Sequence, residues 1–91
     1  MNTCVRFKVK GRVQGVGFRW FIYQKATDLG VTGYVRNLPD GAVEIEVEGA
    51  EEQVERLLDY ARRGPAFSNV THVDLQRREY GAKYKDFQIT Y

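Results

Sequence analysis

Hydrophobic and polar residues alternate from residue 5 to residue 13, and a period of two predicts a strand with one buried face. The apolar face consists of Val5, Phe7, Val9 and Val13. The opposite face is basic and consists of Arg6, Lys8, Lys10 and Arg12. Similar patterns predict strands over residues 31–38 and 43–47, around Val73 and Leu75, and over 87–91.

Two segments have helical spacing instead. Apolar residues recur every three or four positions from Phe18 to Leu29, and Gly30 is placed to end that helix. A second helix is predicted over residues 51–63, which begin with acidic residues and end with basic ones, as the helix dipole favours. Its apolar stripe consists of Val54, Leu57, Leu58 and Ala61, and Gly64-Pro65 ends it.

The element order is therefore βαββαβ followed by one more strand. Two right-handed crossovers build this order as an α+β, ferredoxin-like sandwich, with one antiparallel sheet and two helices on one face. The first and third strands are then neighbours in the middle of the sheet. The basic row of the first strand would face Glu44, Glu46 and Glu48 of the third, so we expect Lys8 and Lys10 to pair with that acidic row.

A glycine-rich connection joins the first strand to the first helix. Residues 14–17, hereafter the glycine loop, include Gly15 and Gly17, and Arg19 follows closely. Glycine lets successive backbone N–H groups point at one spot, and a helix start adds unpaired N–H groups and a partial positive charge. Arginine adds a full charge and a planar fork of donors. The connection is a predicted binding site for a small tetrahedral anion.

The glycine loop matches neither of the common nucleotide-binding motifs. A Walker loop needs lysine followed by serine or threonine after its last glycine, where this chain has Phe18 and Arg19. A dinucleotide fingerprint beginning at Gly15 needs glycine at position 20, which is Trp20.

Asn37 is the second candidate for a functional residue. It falls at the end of the second predicted strand, next to a turn over residues 38–41. Asparagine at such a position commonly bonds the turn backbone. Alternatively its amide, which is both donor and acceptor, orients a water molecule. Residue type alone leaves both roles open.

Two runs of the sequence together resemble the signatures of the acylphosphatases. The first is GRVQGVGFR, residues 11–19, and the second is GYVRN, residues 33–37, with further matching residues at Gly41, Val43 and Gly49. The resemblance covers essentially the whole chain, so we expect a single domain of residues 1–91 with the ferredoxin-like fold.

That resemblance implies a hydrolase that cleaves the carboxyl–phosphate bond of acyl phosphates, releasing a carboxylate and inorganic phosphate. The implied catalytic residues are Arg19, in the phosphate site, and Asn37, which would position the attacking water. The phosphate would be held by Arg19 and by the backbone amides of Gln14, Gly15, Val16, Gly17 and Phe18. No metal and no cofactor is implied.

The rest of the chain lacks the usual groups for a difficult hydrolysis. His72, the only histidine, lies in a predicted strand away from both motifs, and the glycine loop contains no serine or cysteine to act as nucleophile. The acidic residues have no metal-ligand spacing. A carboxylate, whose conjugate acid has a pKa near ~4, leaves without being protonated. We therefore expect activated phosphates as substrates rather than alkyl phosphate monoesters.

Composition adds limits. The net charge of +2 does not by itself indicate a polyanionic partner, and the single Cys4, expected to be an inert thiol, excludes an intrachain disulfide. No apolar run approaches the roughly 20 residues that span a bilayer. We expect a cytoplasmic monomer with no nucleic-acid or membrane partner.

Two alternatives to the enzyme remain. Ferredoxin-like sheets with exposed aromatic and basic residues also bind RNA, although this chain lacks the aromatic strand signature of an RNA-recognition sheet. The residues available for that role are Tyr34, Tyr80, Tyr84, Arg77, Arg78, Lys83 and Lys85. The other alternative is a non-catalytic accessory domain, like the acylphosphatase-like domain of larger hydrogenase-maturation proteins. The segment Tyr80–Asp86 has no assigned part.

Overall fold

A computed structural model of the protein describes all residues from Met1 to Tyr91. Every predicted element is present, and the first and fourth strands are longer than predicted. In chain order the elements are β1 (Asn2–Arg12), α1 (Phe18–Leu29), β2 (Thr32–Asn37), β3 (Val43–Ala50), α2 (Glu51–Arg63), β4 (Asn69–Arg78) and β5 (Phe87–Thr90). Neither helix is long and apolar enough to cross a membrane.

The five strands form one sheet in the order β4-β1-β3-β2-β5. The ferredoxin-like arrangement is confirmed: the first four strands pair with one another in antiparallel fashion, and β1 lies next to β3. The sheet as a whole is mixed rather than wholly antiparallel, because β5 pairs in parallel with β2. This follows from the β4–β5 connection, which carries the chain from one edge of the sheet to the other and reverses its direction once.

One hydrophobic core holds the two helices on the sheet. The buried side chains of α1 are Phe18, Ile22 and Ala26, spaced four apart, and those of α2 are Val54, Leu57 and Ala61. Both sets pack in a single cluster with the inward-facing residues of β1, β2 and β3. Gly30 ends α1 in the left-handed conformation, as the sequence predicted, and its N–H bonds the last turn.

The opposite face of the sheet is covered by residues 79–86, hereafter the strap. The Glu48 side chain, which is 1% exposed, accepts hydrogen bonds from the backbone N–H groups of Gly81 (3.0 Å) and Lys83 (2.9 Å). The Tyr84 hydroxyl donates to the Glu46 carboxylate, which also pairs with Lys83 Nζ at 3.3 Å. The strap therefore covers Glu46 and Glu48 of β3, and the segment left unassigned in the sequence has a structural part.

The predicted pairing of Lys8 and Lys10 with the acidic row of β3 is wrong. Lys8 Nζ lies 2.7 Å from a carboxylate oxygen of Asp40, in the β2–β3 turn. Lys10 Nζ lies 3.2 Å from Asp74 on β4. Each lysine pairs with a carboxylate, but that carboxylate lies in the β2–β3 turn or on β4 and not on β3.

The reason is that Glu44, which stands opposite Lys8 in the β1–β3 register, already has its donors. Its two carboxylate oxygens accept from Arg6 Nε and Arg36 Nε, each at 2.6 Å, and from the Tyr34 hydroxyl at 2.9 Å. Burial alone would raise the pKa of Glu44, but these hydrogen bonds outweigh it and hold the pKa below its usual value. Burial and the Glu44 bond raise the pKa of Tyr34 to about 12.

Candidate active site

The glycine loop has the backbone geometry of an anion site. Gly15 and Gly17 take φ values of 75° and 77°, in the left-handed region that only glycine adopts without strain. None of the N–H groups from Gln14 to Gly17 donates a hydrogen bond within the chain. Left-handed residues between other conformations turn successive N–H groups into one concavity, which is the form of a backbone anion nest.

The start of α1 adds donors to the same place. The first helical hydrogen bond runs from the Phe21 N–H to the Gly17 carbonyl at 3.0 Å, so the N–H groups of residues 18–20 have no partner within the helix. The positive end of the helix dipole coincides with these groups. Loop and helix together form one positively polarised surface.

A cleft of about 200 Å³ lies against this surface. It brings together Arg19 and Asn37 with three of the other predicted binding residues, Gly15, Gly17 and Phe18. The remaining lining residues are Val13, Trp20, Ile89 and Tyr91. The sequence motifs, 18 residues apart from Arg19 to Asn37, therefore meet in one place.

The side chains of Gln14 and Val16 do not line the cleft. Gln14 Nε2 donates to two carbonyl oxygens of the β2–β3 turn, Leu38 O and Ala42 O, each at 2.8 Å. The Gln14 side chain thus ties the glycine loop to the turn that follows Asn37. The backbone N–H groups of Gln14 and Val16 are unbonded, and their binding of phosphate stays a prediction.

Arg19 enters the cleft without a counter-ion. It forms no salt bridge, and its nearest polar contact is a long hydrogen bond from Nη1 to the Thr90 carbonyl, 3.4 Å. The guanidinium carbon lies 4.8 Å from the ring centroid of Tyr91, a cation–π distance. A half-buried guanidinium held by a carbonyl and a ring keeps its charge and most of its donors available to an anion.

Asn37 is the last residue of β2. Its side chain lies on the face of the sheet that packs against the helices, the face that Gly33 and Val35 also share. Its Oδ1 is buried and has no hydrogen-bond partner in the protein. The adjoining turn does not use this amide, because Asp40 Oδ1 accepts the Ala42 N–H at 3.0 Å. The structure therefore favours the second of the two roles left open by the sequence, a side chain whose acceptor is free for a small ligand.

Four lining residues were not among the predicted site residues: Val13, Trp20, Ile89 and Tyr91. Trp20 follows Arg19 directly and could have been placed by helical geometry. Ile89 and Tyr91 could not, because their position depends on the parallel pairing of β5 with β2. That pairing places Ile89 opposite Val35, which lies 54 positions earlier in the chain.

Neither His72 nor Cys4 belongs to the cleft. His72 Nε2 lies 2.6 Å from Asp74 Oδ1 on the exposed part of β4. Cys4 is fully buried, and that burial raises the pKa of its thiol, which makes it a poorer nucleophile. Both residues lie in strands and away from the cleft, as the sequence predicted for His72.

Three of the side chains that suggested RNA binding have partners within the protein. The Tyr34 and Tyr84 hydroxyls donate to Glu44 and Glu46, and Lys83 pairs with Glu46. These three side chains therefore contact the acidic row of β3, which does not favour the RNA-binding alternative.

A second cavity, about 290 Å³, lies between α2 and the β1–β4 side of the sheet. Most of its lining is apolar, and Glu51 and Glu55 stand at its edge. Two carboxylates repel an anion, and one of them, Glu51, already occupies the start of α2. Arg77 is the one cation in the lining, and there is no glycine loop beside it. This cavity lacks the chemistry of a phosphate site.

Comparisons with known proteins give one family. The acylphosphatase family model matches residues 5–89. An acylphosphatase of Caldanaerobacter subterraneus is 45% identical over 89 residues, covering 98% of this chain and 99% of the relative. An acylphosphatase of Caldivirga maquilingensis is 51% identical over 88 residues, with 96% and 93% coverage.

Solved structures agree with the sequence relatives. The crystal structure of acylphosphatase from Bacillus subtilis matches with a TM-score of 0.94 at 36% identity, covering 100% of both chains. A part of full-length HypF, crystallised in a phosphate- and nucleotide-bound form, matches with a TM-score of 0.88 at 29% identity. This chain covers 12% of that larger protein.

Proposed function

Because the chain belongs to the acylphosphatase family and hydrolyses acyl phosphates, we propose that the cleft at the glycine loop is its active site. One observation carries the proposal. The same cleft contains an arginine without a counter-ion, backbone N–H groups without acceptors and the buried, unpartnered Oδ1 of Asn37. These are the groups that a phosphate and a water molecule would satisfy.

The substrate phosphate binds to the N–H groups of the glycine loop and the start of α1, and to the Arg19 guanidinium. These donors are preorganised, since the loop glycines permit the left-handed conformations and the Gln14 side chain ties the loop to the β2–β3 turn. Donors that need no reorganisation are the most effective at stabilising charge that develops in a transition state. In phosphoryl transfer that charge is spread over the equatorial phosphate oxygens, where loop and arginine lie.

The Asn37 amide holds the attacking water. Its Oδ1 accepts one water hydrogen, which turns an oxygen lone pair toward phosphorus, opposite the leaving carboxylate. The bond from the water oxygen to phosphorus forms as the bond from phosphorus to the carboxylate oxygen breaks. A phosphate oxygen takes the proton released by the water, so the products are a carboxylate and inorganic phosphate.

No side chain acts as general acid, and none is needed. The leaving carboxylate is stable unprotonated at neutral pH, because its conjugate acid has a pKa near ~4. Arg19 and the N–H groups supply the positive charge that a metal ion would otherwise provide. We therefore propose that the reaction is independent of metal ions.

Steady-state hydrolysis of benzoyl phosphate in the presence of EDTA tests the active site, with para-nitrophenyl phosphate as the unactivated control substrate. We expect Arg19→Ala to lower kcat/KM by about 10³–10⁵, the range for a phosphate-binding arginine. Arg12→Ala is the matched control: it removes the same charge from an exposed position at the end of β1, outside the cleft.

Retention of a tenth of the wild-type turnover in Arg19→Ala would exclude this arginine from the phosphate site. An absolute requirement for added metal would overturn the mechanism. The monomeric state, the cytoplasmic location, the absence of nucleic-acid and membrane partners, and residues 1–91 as one domain remain predictions.

A further inference from the structure

Trp20 is an exposed aromatic side chain at the mouth of the cleft. It is 56% exposed, and it lines the cleft beside Arg19. Tryptophan carries a large apolar area that proteins generally bury in part, and an exposed one beside a polar site is available to a ligand.

The indole is held in place from one side. Trp20 and Tyr23 lie one helical turn apart on α1, and their rings stack with centroids 5.4 Å apart and planes inclined by 19°. Stacking uses one face of the indole and leaves the other face open. A ring braced in this way loses little conformational entropy when a ligand packs on it.

The rest of the cleft mouth is apolar. Beyond the N–H groups, Arg19 and Asn37, its lining consists of Val13, Ile89 and the Tyr91 ring. With the phosphate held at the glycine loop, the acyl group has to project past these residues. A charged or strongly polar acyl group would find few partners there besides Arg19 and the Tyr91 hydroxyl, whereas an apolar ring would lose contact with water.

We propose that the open face of Trp20 binds the acyl group, and that this protein favours acyl phosphates with aromatic acyl groups over small aliphatic ones. The inference rests on the proposed active site and adds the substrate class to it. Trp20 acts on specificity and takes no part in phosphate binding or in positioning the water.

The ratio of kcat/KM for benzoyl phosphate to kcat/KM for acetyl phosphate tests this assignment. Trp20→Ala should lower the ratio about tenfold, because the stacking of the two rings and the apolar area that it buries together favour the aromatic substrate by about a factor of ten. Trp20→Phe should restore most of the ratio, since a smaller ring still offers a stacking face. The inhibition constant of inorganic phosphate should stay at its wild-type value in both variants.

Tyr80→Ala is the control, because it removes another exposed aromatic ring, on the strap, far from the cleft lining. An unchanged ratio in Trp20→Ala, with both substrates still hydrolysed, would show that Trp20 does not bind the acyl group. The proposed active site would be unaffected by that result. An equal fall for both substrates would likewise overturn acyl binding by Trp20, as the effect of a distorted helix. Failure of the wild-type protein to hydrolyse either substrate would overturn the proposed function itself.

Discussion

Substitution of Asn37 by alanine separates the chemistry of the site from the stability of the fold. A buried acceptor without a partner costs about 1–3 kcal/mol, and Asn37 Oδ1 is such an acceptor. Alanine removes that cost but gives up the packing of the amide, and a water bound to Oδ1 already offsets part of it. We therefore expect the free energy of unfolding of Asn37→Ala to stay the same or to rise by about 1 kcal/mol.

Turnover should respond in the opposite direction. Loss of the group that positions a reacting molecule costs on the order of 10²-fold in rate, so kcat for benzoyl phosphate should fall by at least about that factor. The inhibition constant of inorganic phosphate should hardly change, because the N–H groups and Arg19 are untouched. Few substitutions are expected to gain stability while losing activity, which makes the combination informative.

Urea unfolding and steady-state kinetics of the same preparation provide both quantities. Asn69→Ala is the control, since it removes an exposed asparagine at the start of β4 and should change neither one. A loss of about 2 kcal/mol in Asn37→Ala would mean that the amide is a structural bond of the turn after all. Equal losses of phosphate affinity and of turnover would move Asn37 from water positioning to phosphate binding.

Gln14 and Glu44 give two further predictions. Gln14→Ala keeps the backbone N–H but removes two side-chain hydrogen bonds to the β2–β3 turn. The free energy of unfolding in urea should therefore fall by about 1–3 kcal/mol, and kcat/KM should fall with it. An unchanged free energy of unfolding would contradict the role of Gln14 in holding the loop to the turn. Glu44→Gln should lower the free energy of unfolding at pH 7 by about 2 kcal/mol. The pKa of Glu44 is held low in the folded protein, so its contribution is present above the unfolded carboxyl pKa and is lost as pH falls through the folded pKa. The difference between variant and wild type should therefore shrink below about pH 4, and a constant difference would refute the ionic origin.

The fold was readable from the sequence wherever one side chain pattern decides one local structure. The alternation in β1 and the charged ends and apolar stripe of α2 are such patterns, and both predicted the elements found. Gly30 and Gly64 likewise end their helices as predicted. Local patterning also located the glycine loop, because its conformation depends on glycines within the loop itself.

What the sequence left out depends on contacts between distant segments. The strand register predicts that Lys8 stands opposite Glu44. It does not predict that Arg36 reaches the same carboxylate from β2, so that Lys8 pairs with Asp40 instead. The sequence likewise does not predict the hydrogen-bond partners of the Gln14 side chain. Competition among several donors for one acceptor arises only in the assembled sheet, so the sequence of a single strand does not predict it.

The contact of Arg19 with β5 has a consequence for how the protein acquires its function while folding. The partners that orient the guanidinium, the Thr90 carbonyl and the Tyr91 ring, lie about 70 residues further along the chain, the hydrogen bond spanning 71 positions. Contacts between such distant residues close large loops and are expensive to form early. A partly folded chain with α1 and the glycine loop in place, but with β5 not yet docked on β2, would have an arginine without its orienting partners. Docking of β5 on β2 thus completes the sheet edge and also supplies the partners of Arg19 in the proposed phosphate site.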